Sequence, residues 1–316
     1  MNVVSIGHFT IDSVTFADGT YADDLFGGDG VYAAVGAAIW GAKVQAVSVV
    51  GRDFPRSWLK RLDAARIGTA GVRRLTSRHR LVAPMVYDRW FRRQNERGEP
   101  NPATQMLSRA AQARRWAMFS PKVEDAVKFL RWADAVHIAG MPIERQNAFL
   151  RLFQSSPQLV TVDLPWPPRL YSPGTLPQVD LASAVLLSDA EMKGIFPGLS
   201  PTGVWKSLSL RGARVVAIKR GSKGSTVFET GQRYGTRVAA YPTRVLDPTG
   251  AGDAYCGGFL VGLAETSNPQ TAGLYGAVSA SFVIEGLGAE TSLGSSRFDA
   301  ERRLAALKEM SLKDHG

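Results

Sequence analysis

The sequence predicts an α/β fold in three layers, a mainly parallel central sheet flanked by helices, with a small β lid. Three observations carry that expectation. Short apolar runs alternate with amphipathic stretches over most of the 316 residues, the pattern of crossover units whose parallel sheet is covered on both sides. After Gly224 the pattern changes to short extended runs with antiparallel character. Two further extended segments interrupt the crossover rhythm and have no place inside it.

In chain order, Val3–Gly7 reads as the first strand, and Ser13–Tyr21 (SVTFADGTY) as a hairpin turning at Asp18-Gly19. A helix is expected over Val31–Trp40, a strand over Val44–Gly51 and a helix over Pro55–Ala65. Leu81–Asp88 (LVAPMVYD) is the second interrupting run, followed by polar, basic sequence to Arg115, of which Arg92–Gln105 is expected to be mobile. Helices over Val123–Trp132, Ile143–Phe153 and Val204–Leu210 then alternate with strands at Ala135–Gly140, Leu159–Leu164, Ala184–Leu187 and Val215–Lys219. The antiparallel pieces are Ser225–Glu229 and Arg237–Val245; two small-residue helices, Ala251–Glu265 and Thr271–Gly286, and a charged one, Phe298–Lys308, complete the order. The two interrupting segments are placed together, so that about residues 12–26 and 80–115 form the lid of a single domain spanning 1–316.

Composition narrows the function classes. No apolar run approaches the roughly 18 residues that span a bilayer, and the start, MNVVSIGHFTID, reads as a strand rather than an export signal. The single cysteine, Cys256, excludes an internal disulfide and fits a reducing cytoplasm; its small-residue helical setting makes it a packing residue. The net charge is +10, and its excess is concentrated: Arg73 to Arg115 holds eleven arginines against three acids, a local +8. Such a field attracts nucleic acid, phosphorylated metabolites and carboxylates alike, or is a solvated face. With no zinc-finger spacing, aromatic RNA-recognition signature or basic zipper, nucleic acid is not favoured.

The chemistry is concentrated in VLDPTGAGDAYCGGFLVGL, Val245 to Leu263, where a glycine-rich loop runs directly into a helix. The first N–H groups of a helix have no intrahelical partner and hold a phosphate or a developing oxyanion. Asp253 at the junction reads as a helix cap, or as the base that orients an attacking hydroxyl while the amides of Gly250, Ala251 and Gly252 hold the phosphate. Other nucleotide motifs fail. GSKGST at Gly221–Thr226 lacks P-loop spacing, and GGDGVYAAVG from Gly27 follows no buried strand, which a dinucleotide fingerprint needs. The four histidines, His8, His79, His137 and His315, are scattered without metal spacing and read as structural.

DPTGAGDAYCGGF closely resembles the C-terminal signature of the ribokinase-like (PfkB) carbohydrate kinases, and the other pieces agree in order from Val3 to Ser292. The resemblance implies a ribokinase-like fold, a catalytic base at Asp253 and an anion hole at Gly250, Ala251 and Gly252. SIGHFTID resembles the opening strand whose Asp binds sugar hydroxyls, which falls on Asp12. GGDGVYAAVGAAIWG resembles the substrate motif, with Gly27, Gly28, Asp29 and Gly30 letting the acceptor lie against backbone; Tyr32 stands where an Asn is usual. LLSDAEMKGIF resembles the Asn-x-x-Glu segment, so that Glu191 belongs to the magnesium-phosphate shell and Ser188 replaces the Asn. VVAIKRGSKGSTVF places Lys219, Gly221 and Gly224 near ATP. GLGAETS, with the DxTGAGD loop, matches a potassium site at Asp247, Thr249, Gly288 and Ser292. In DLPWPPR, Asp163 is kept from a sugar-acid motif, Pro165 replaces its Asn and Arg169 is displaced.

The expectation is therefore an ATP- and magnesium-dependent kinase, with potassium as a candidate activator, that phosphorylates a hydroxyl of a sugar or sugar-like acceptor. The departures argue against a standard sugar acid, while the arginine concentration argues for an anionic acceptor. A nucleoside acceptor would make Tyr32 a stacking candidate. A sensor that has lost turnover and a nucleic-acid binder are the rival classes. The family resemblance also leaves a homodimer in play, and no membrane partner is expected.

Overall fold

The structure is a computed structural model that describes residues 1–79, 81–94, 109–129, 131–154, 158–164 and 174–313. Nine strands form the large sheet. β1 (Asn2–Ile6), β4 (Lys43–Val50), β5 (Ile67–Arg74), β7 (Ala135–Ile138), β8 (Leu159–Asp163), β9 (Ala184–Ser188) and β10 (Val215–Lys219) run parallel. β11 (Ser225–Glu229) and β12 (Thr236–Val238) add an antiparallel edge, giving the order β12-β11-β10-β9-β8-β7-β1-β4-β5.

Strand periodicity builds the two helical layers. Val3, Ala135, Leu186 and Ala217 point to one face, where they pack with α1 (Asp29–Ala38), α8 (Ala251–Thr266) and α9 (Pro269–Val283). The alternating residues Val4, Val136, Val185 and Val216 point to the other, against α5 (Ile143–Gln154), α6 (Asp189–Ile195) and α7 (Pro201–Ser209). This is the period-2 alternation of a sheet buried on both sides. α1 and α8 meet backbone to backbone: a Cβ on Gly257 would fall 2.0 Å from Ala33 O, and one on Gly36 would fall 2.2 Å from Ala254 O. That contact sets the first two turns of α8 against the middle and end of α1.

The hairpin is present but longer than expected, β2 (Thr10–Thr15) and β3 (Tyr21–Gly27), with Asp18 Oδ1 accepting the Thr20 amide across the turn. β6 (Val82–Val86) pairs with β2 in parallel, so the small sheet, ordered β3-β2-β6, is mixed. Other boundaries shift. The helix expected over Val123–Trp132 is only α4 (Val123–Ala126) and a 3₁₀ turn to Phe129. Beyond Val238 the expected strand does not form. The basic region contributes α3 (Arg109–Met118). α2 (Arg56–Ala64) and α10 (Arg297–Lys313) complete the elements. Most of Arg92–Gln105, Pro165, Arg169 and His315 lie outside the described residues.

The arginine concentration is partly neutralised from within. Arg73 pairs with Asp125 at 2.6 Å, Arg92 with Asp88 at 2.8 Å, and Arg74 caps the carbonyls of Gly51, Arg52 and Phe54. Among the described residues no helix is long and apolar enough to cross a membrane.

Candidate active site

α8 starts with Gly250 in the left-handed region (φ 77°) as its N-cap. A Cβ there would lie 2.3 Å from the Tyr32 ring, so the flat of that ring lies against the glycine. Tyr32 is buried, with one face covered by Gly250. This corrects its reading as a stacking partner: it is the floor of the loop. Before Gly250, Asp247 Oδ1 accepts both the Thr249 amide at 2.9 Å and the Thr249 hydroxyl at 2.6 Å.

Of the three amides expected to hold an anion, that of Ala251 turns back to Pro248 O at 3.3 Å, because the loop closes a turn there. Those of Gly250 and Gly252 find no acceptor among the described residues. A Cβ on Gly252 would meet nothing nearer than Lys219 Nζ at 3.7 Å, so there is space beside this residue. Asp253 is half-buried in the first turn of α8. Burial pushes its carboxyl up to about 8; Lys219 opposes the shift, while Asp29, Asp163 and Asp12 add to it. It is a stronger base than an ordinary aspartate.

Asp12 faces the same region from β2. Thr10 donates to its Oδ1 at 2.5 Å, while Oδ2 is buried with no partner in the protein. Burial raises this carboxyl to about 7, against the Thr10 hydrogen bond and the charge of Arg93. A Cβ on Gly27 would overlap Asp12 Oδ2 at 1.7 Å, so the carboxylate occupies the space the glycine leaves. The gaps at Gly28 and Gly30 are likewise filled by the protein, by His8 O and by the Gly7 backbone. In the direction of a side chain, these glycines make room for the chain itself.

Asp29 also turns inward. Its Oδ1 accepts the His8 amide at 2.5 Å and its Oδ2 meets His8 Nδ1 at 3.2 Å, so it ties the start of α1 to the segment that follows β1. His8 Nε2 lies 2.8 Å from Ser120 Oγ. Ser120 donates to Trp116 O at 2.7 Å, so it accepts from the imidazole and is no nucleophile.

Lys219, at the end of β10, is buried. It continues the Val215–Ala217 face of β10, and Asp163 continues the same face of β8. The two meet across β9 with Nζ 2.6 Å from Oδ2, both buried. Nζ also reaches Cys256 Sγ at 3.3 Å, and that thiol donates to Gly252 O at 3.1 Å. Burial alone would lower the Lys219 pKa, but Asp163, Cys256, Glu191 and Asp253 hold the side chain firmly as an ammonium. Cys256 thus packs as expected, while contributing hydrogen bonds under the loop.

Glu191 and Ser188 form a capping box on α6: Oε2 accepts the Ser188 amide at 2.5 Å, and Ser188 Oγ accepts the Glu191 amide at 3.2 Å. Burial and the neighbouring Asp163 push the Glu191 carboxyl up to about 8. Asp163 Oδ1 is buried without a partner. Crowded acids, one with an orphan oxygen, suit a hydrated cation brought in with phosphate; among the described residues no group of three or more ligands is arranged to chelate one directly. Gly221 and Gly224 shape the β10–β11 turn, where Arg220 N donates to Gly224 O at 2.8 Å. Asp247, Thr249 and Ser292 are buried, and the chain at Asp247 runs beside Ile284, whose carbonyl accepts the Leu246 amide at 2.7 Å. The Ser292 hydroxyl points to Phe282 O. Sequence reasoning missed Tyr87 here: its hydroxyl lies 2.9 Å from Thr249 Oγ1. No local motif marks it.

Comparison with known proteins agrees with this architecture. The family model of the pfkB carbohydrate kinases matches residues 1–295. The cytidine kinase of Thermococcus kodakarensis is 30% identical over 272 residues, covering 83% of this chain and 88% of that protein. The crystal structure of the Methanocaldococcus jannaschii nucleoside kinase superposes with a TM-score of 0.72 at 20% identity, over 96% of this chain and 98% of that one. Arabidopsis thaliana ribokinase, complexed with ribose and ATP, gives 0.70 at 19% identity, over 96% and 98%.

Proposed function

This chain belongs to the pfkB family of carbohydrate kinases, and from that premise we propose that it transfers the γ-phosphoryl group of ATP to a hydroxyl of a nucleoside, a pyrimidine nucleoside first. It is a phosphotransferase with an alcohol acceptor, a sugar or nucleoside kinase. The nucleoside reading is supported by the similarity to a cytidine kinase over most of both chains. The observation that carries the site is the pair of acids facing one region: Asp12, with a buried unpartnered oxygen, and Asp253, close enough to feel the charge of Asp12.

In this reading Asp12 Oδ2 accepts a ribose hydroxyl and fixes the sugar. The acceptor oxygen attacks the γ-phosphorus, its proton passes to Asp253, and the bond to the β-phosphate oxygen breaks to leave ADP. The free amides of Gly250 and Gly252 steady the charge on the moving group. Lys219 acts from beneath the loop. Ser188, Gly221 and Gly224 border the nucleotide side, and the small sheet serves as lid of one kinase domain. ATP and magnesium are expected for the family; the metal, held near Glu191 and Asp163, would neutralise phosphate charge. Asp247, Thr249, Gly288 and Ser292 stay candidates for potassium.

One observation favours a second reading. Arg93, in the segment after β6 and bridged to Tyr87, is near enough for its charge to act on Asp12, which suits an anionic sugar. An ATP-consumption screen over cytidine, uridine, adenosine, inosine, ribose and sugar acids separates the two. Turnover confined to sugar acids would overturn the nucleoside reading.

A further inference from the structure

The small sheet and the loop that opens α8 belong to different parts of the fold, yet one hydrogen bond joins them. Thr249 Oγ1 is 2.6 Å from Asp247 Oδ1, a carboxylate oxygen that also takes the Thr249 amide. A threonine hydroxyl has one proton, and here it goes to Asp247. The Tyr87 hydroxyl, 2.9 Å from Thr249 Oγ1, is therefore the donor. The direction of the chain is fixed: Tyr87 to Thr249 to Asp247.

Each end is anchored. Tyr87 is buried with Val14 and Met85 in the core of the small sheet, and its amide donates to Thr15 O at 3.0 Å. Asp247 is held by its own amide on Ile284 O. Between them Thr249 is the residue before Gly250, which Tyr32 supports from beneath. The loop is thus gripped from the α1 side by a ring and from the small sheet by a hydroxyl.

We infer that Tyr87 is a positioning residue, which aligns the Gly250–Asp253 segment with the acceptor by tying the loop to the sheet that covers the acceptor side. This rests on the reading of Asp253 and its neighbouring amides as the reacting centre. It assigns no chemistry to Tyr87 itself, which touches neither phosphate nor acceptor in this account.

Tyr87→Phe keeps the ring and removes only the donor. The expected result is a fall in kcat of about 5- to 20-fold with ATP affinity unchanged, since one aligned hydrogen bond is lost at the loop. On a Thr249→Val background the same substitution should add less than about twofold, because the bond is already absent. Losses that multiply, or a Tyr87→Phe enzyme with full kcat, would overturn the inference. Should Thr249→Val fail to fold, hydrogen exchange across residues 247–253 in Tyr87→Phe decides instead: faster exchange is expected, and unchanged exchange refutes it. Asp253→Asn separates the premise from the inference. Turnover retained in that variant removes the reacting centre itself, whereas a dead Asp253→Asn with multiplying losses leaves the centre standing and Tyr87 without the role.

Discussion

Lys219 Nζ lies 2.6 Å from Asp163 Oδ2 directly under the start of α8, and both groups are buried. Neither charge can be removed alone without stranding the other. Breaking such a pair leaves an uncompensated ion in a poorly polarisable interior, whereas replacing both partners with apolar groups is often tolerated.

Lys219→Met is accordingly expected to destabilise the protein by about 3–5 kcal/mol, and Lys219→Met/Asp163→Leu to recover most of that loss. The penalty of the single variant should shrink toward low pH, where the abandoned carboxyl takes up a proton. Denaturant unfolding at pH 5 and pH 8 measures both effects. A double variant no more stable than the single one would show that the pair is not what holds this region.

Asp253→Asn should lower turnover by about 10²- to 10⁴-fold while ATP still binds. In the unsubstituted enzyme kcat/KM should rise with pH through a midpoint near 8, because the carboxyl held at about 8 must be ionised to accept a proton. Its stability effect has the opposite sign. A folded-state pKa raised above the unfolded 3.8 means that the native state binds this proton more tightly, so stability falls as pH rises from about 4 to 8. Asp253→Asn should therefore raise Tm more at pH 9 than at pH 5. A pH-independent kcat/KM would count against Asp253 as the base.

Asp12→Ala should raise the acceptor KM by about 10- to 100-fold, the cost of one hydrogen bond to a charged group, with ATP affinity unchanged. Gly27→Ala should reproduce that defect, since its Cβ would arrive 1.7 Å from Asp12 Oδ2 and displace the carboxylate. Steady-state kinetics with the acceptor varied tests both. An unaltered KM in both would place the acceptor elsewhere.

Gly250→Ala should cost about 2–4 kcal/mol, because the backbone is left-handed there and the new methyl would strike the Tyr32 ring. Thermal unfolding reads the loss. A Tm equal to that of the unsubstituted protein would mean that the loop yields easily, against the grip described.

The central sheet was legible because its strands are apolar on both faces and separated by helical periods. β5 was not, since Ile67–Arg74 is a half-exposed edge strand with the sequence IGTAGVRR. Asp253 and Asp12 could be named from motifs around them. The Lys219–Asp163 contact could not, because it depends on register across β9, and neither residue signals the other along the chain. The close packing at Gly27 and Gly30 was illegible for a related reason: a glycine reports that something comes close, but not which neighbour it is.

The parallel pairing of β2 with β6 has a consequence for how the molecule comes together. Between those strands the chain runs through β3, α1, β4, α2 and β5. Partners so remote cannot zip until the intervening units have docked, because loop closure must come first. With a core cluster of its own as small as Val14, Met85 and Tyr87, this small sheet is expected to assemble last during folding and to fray first under stress. The large sheet and its two helical layers would then stand before the small sheet is in place.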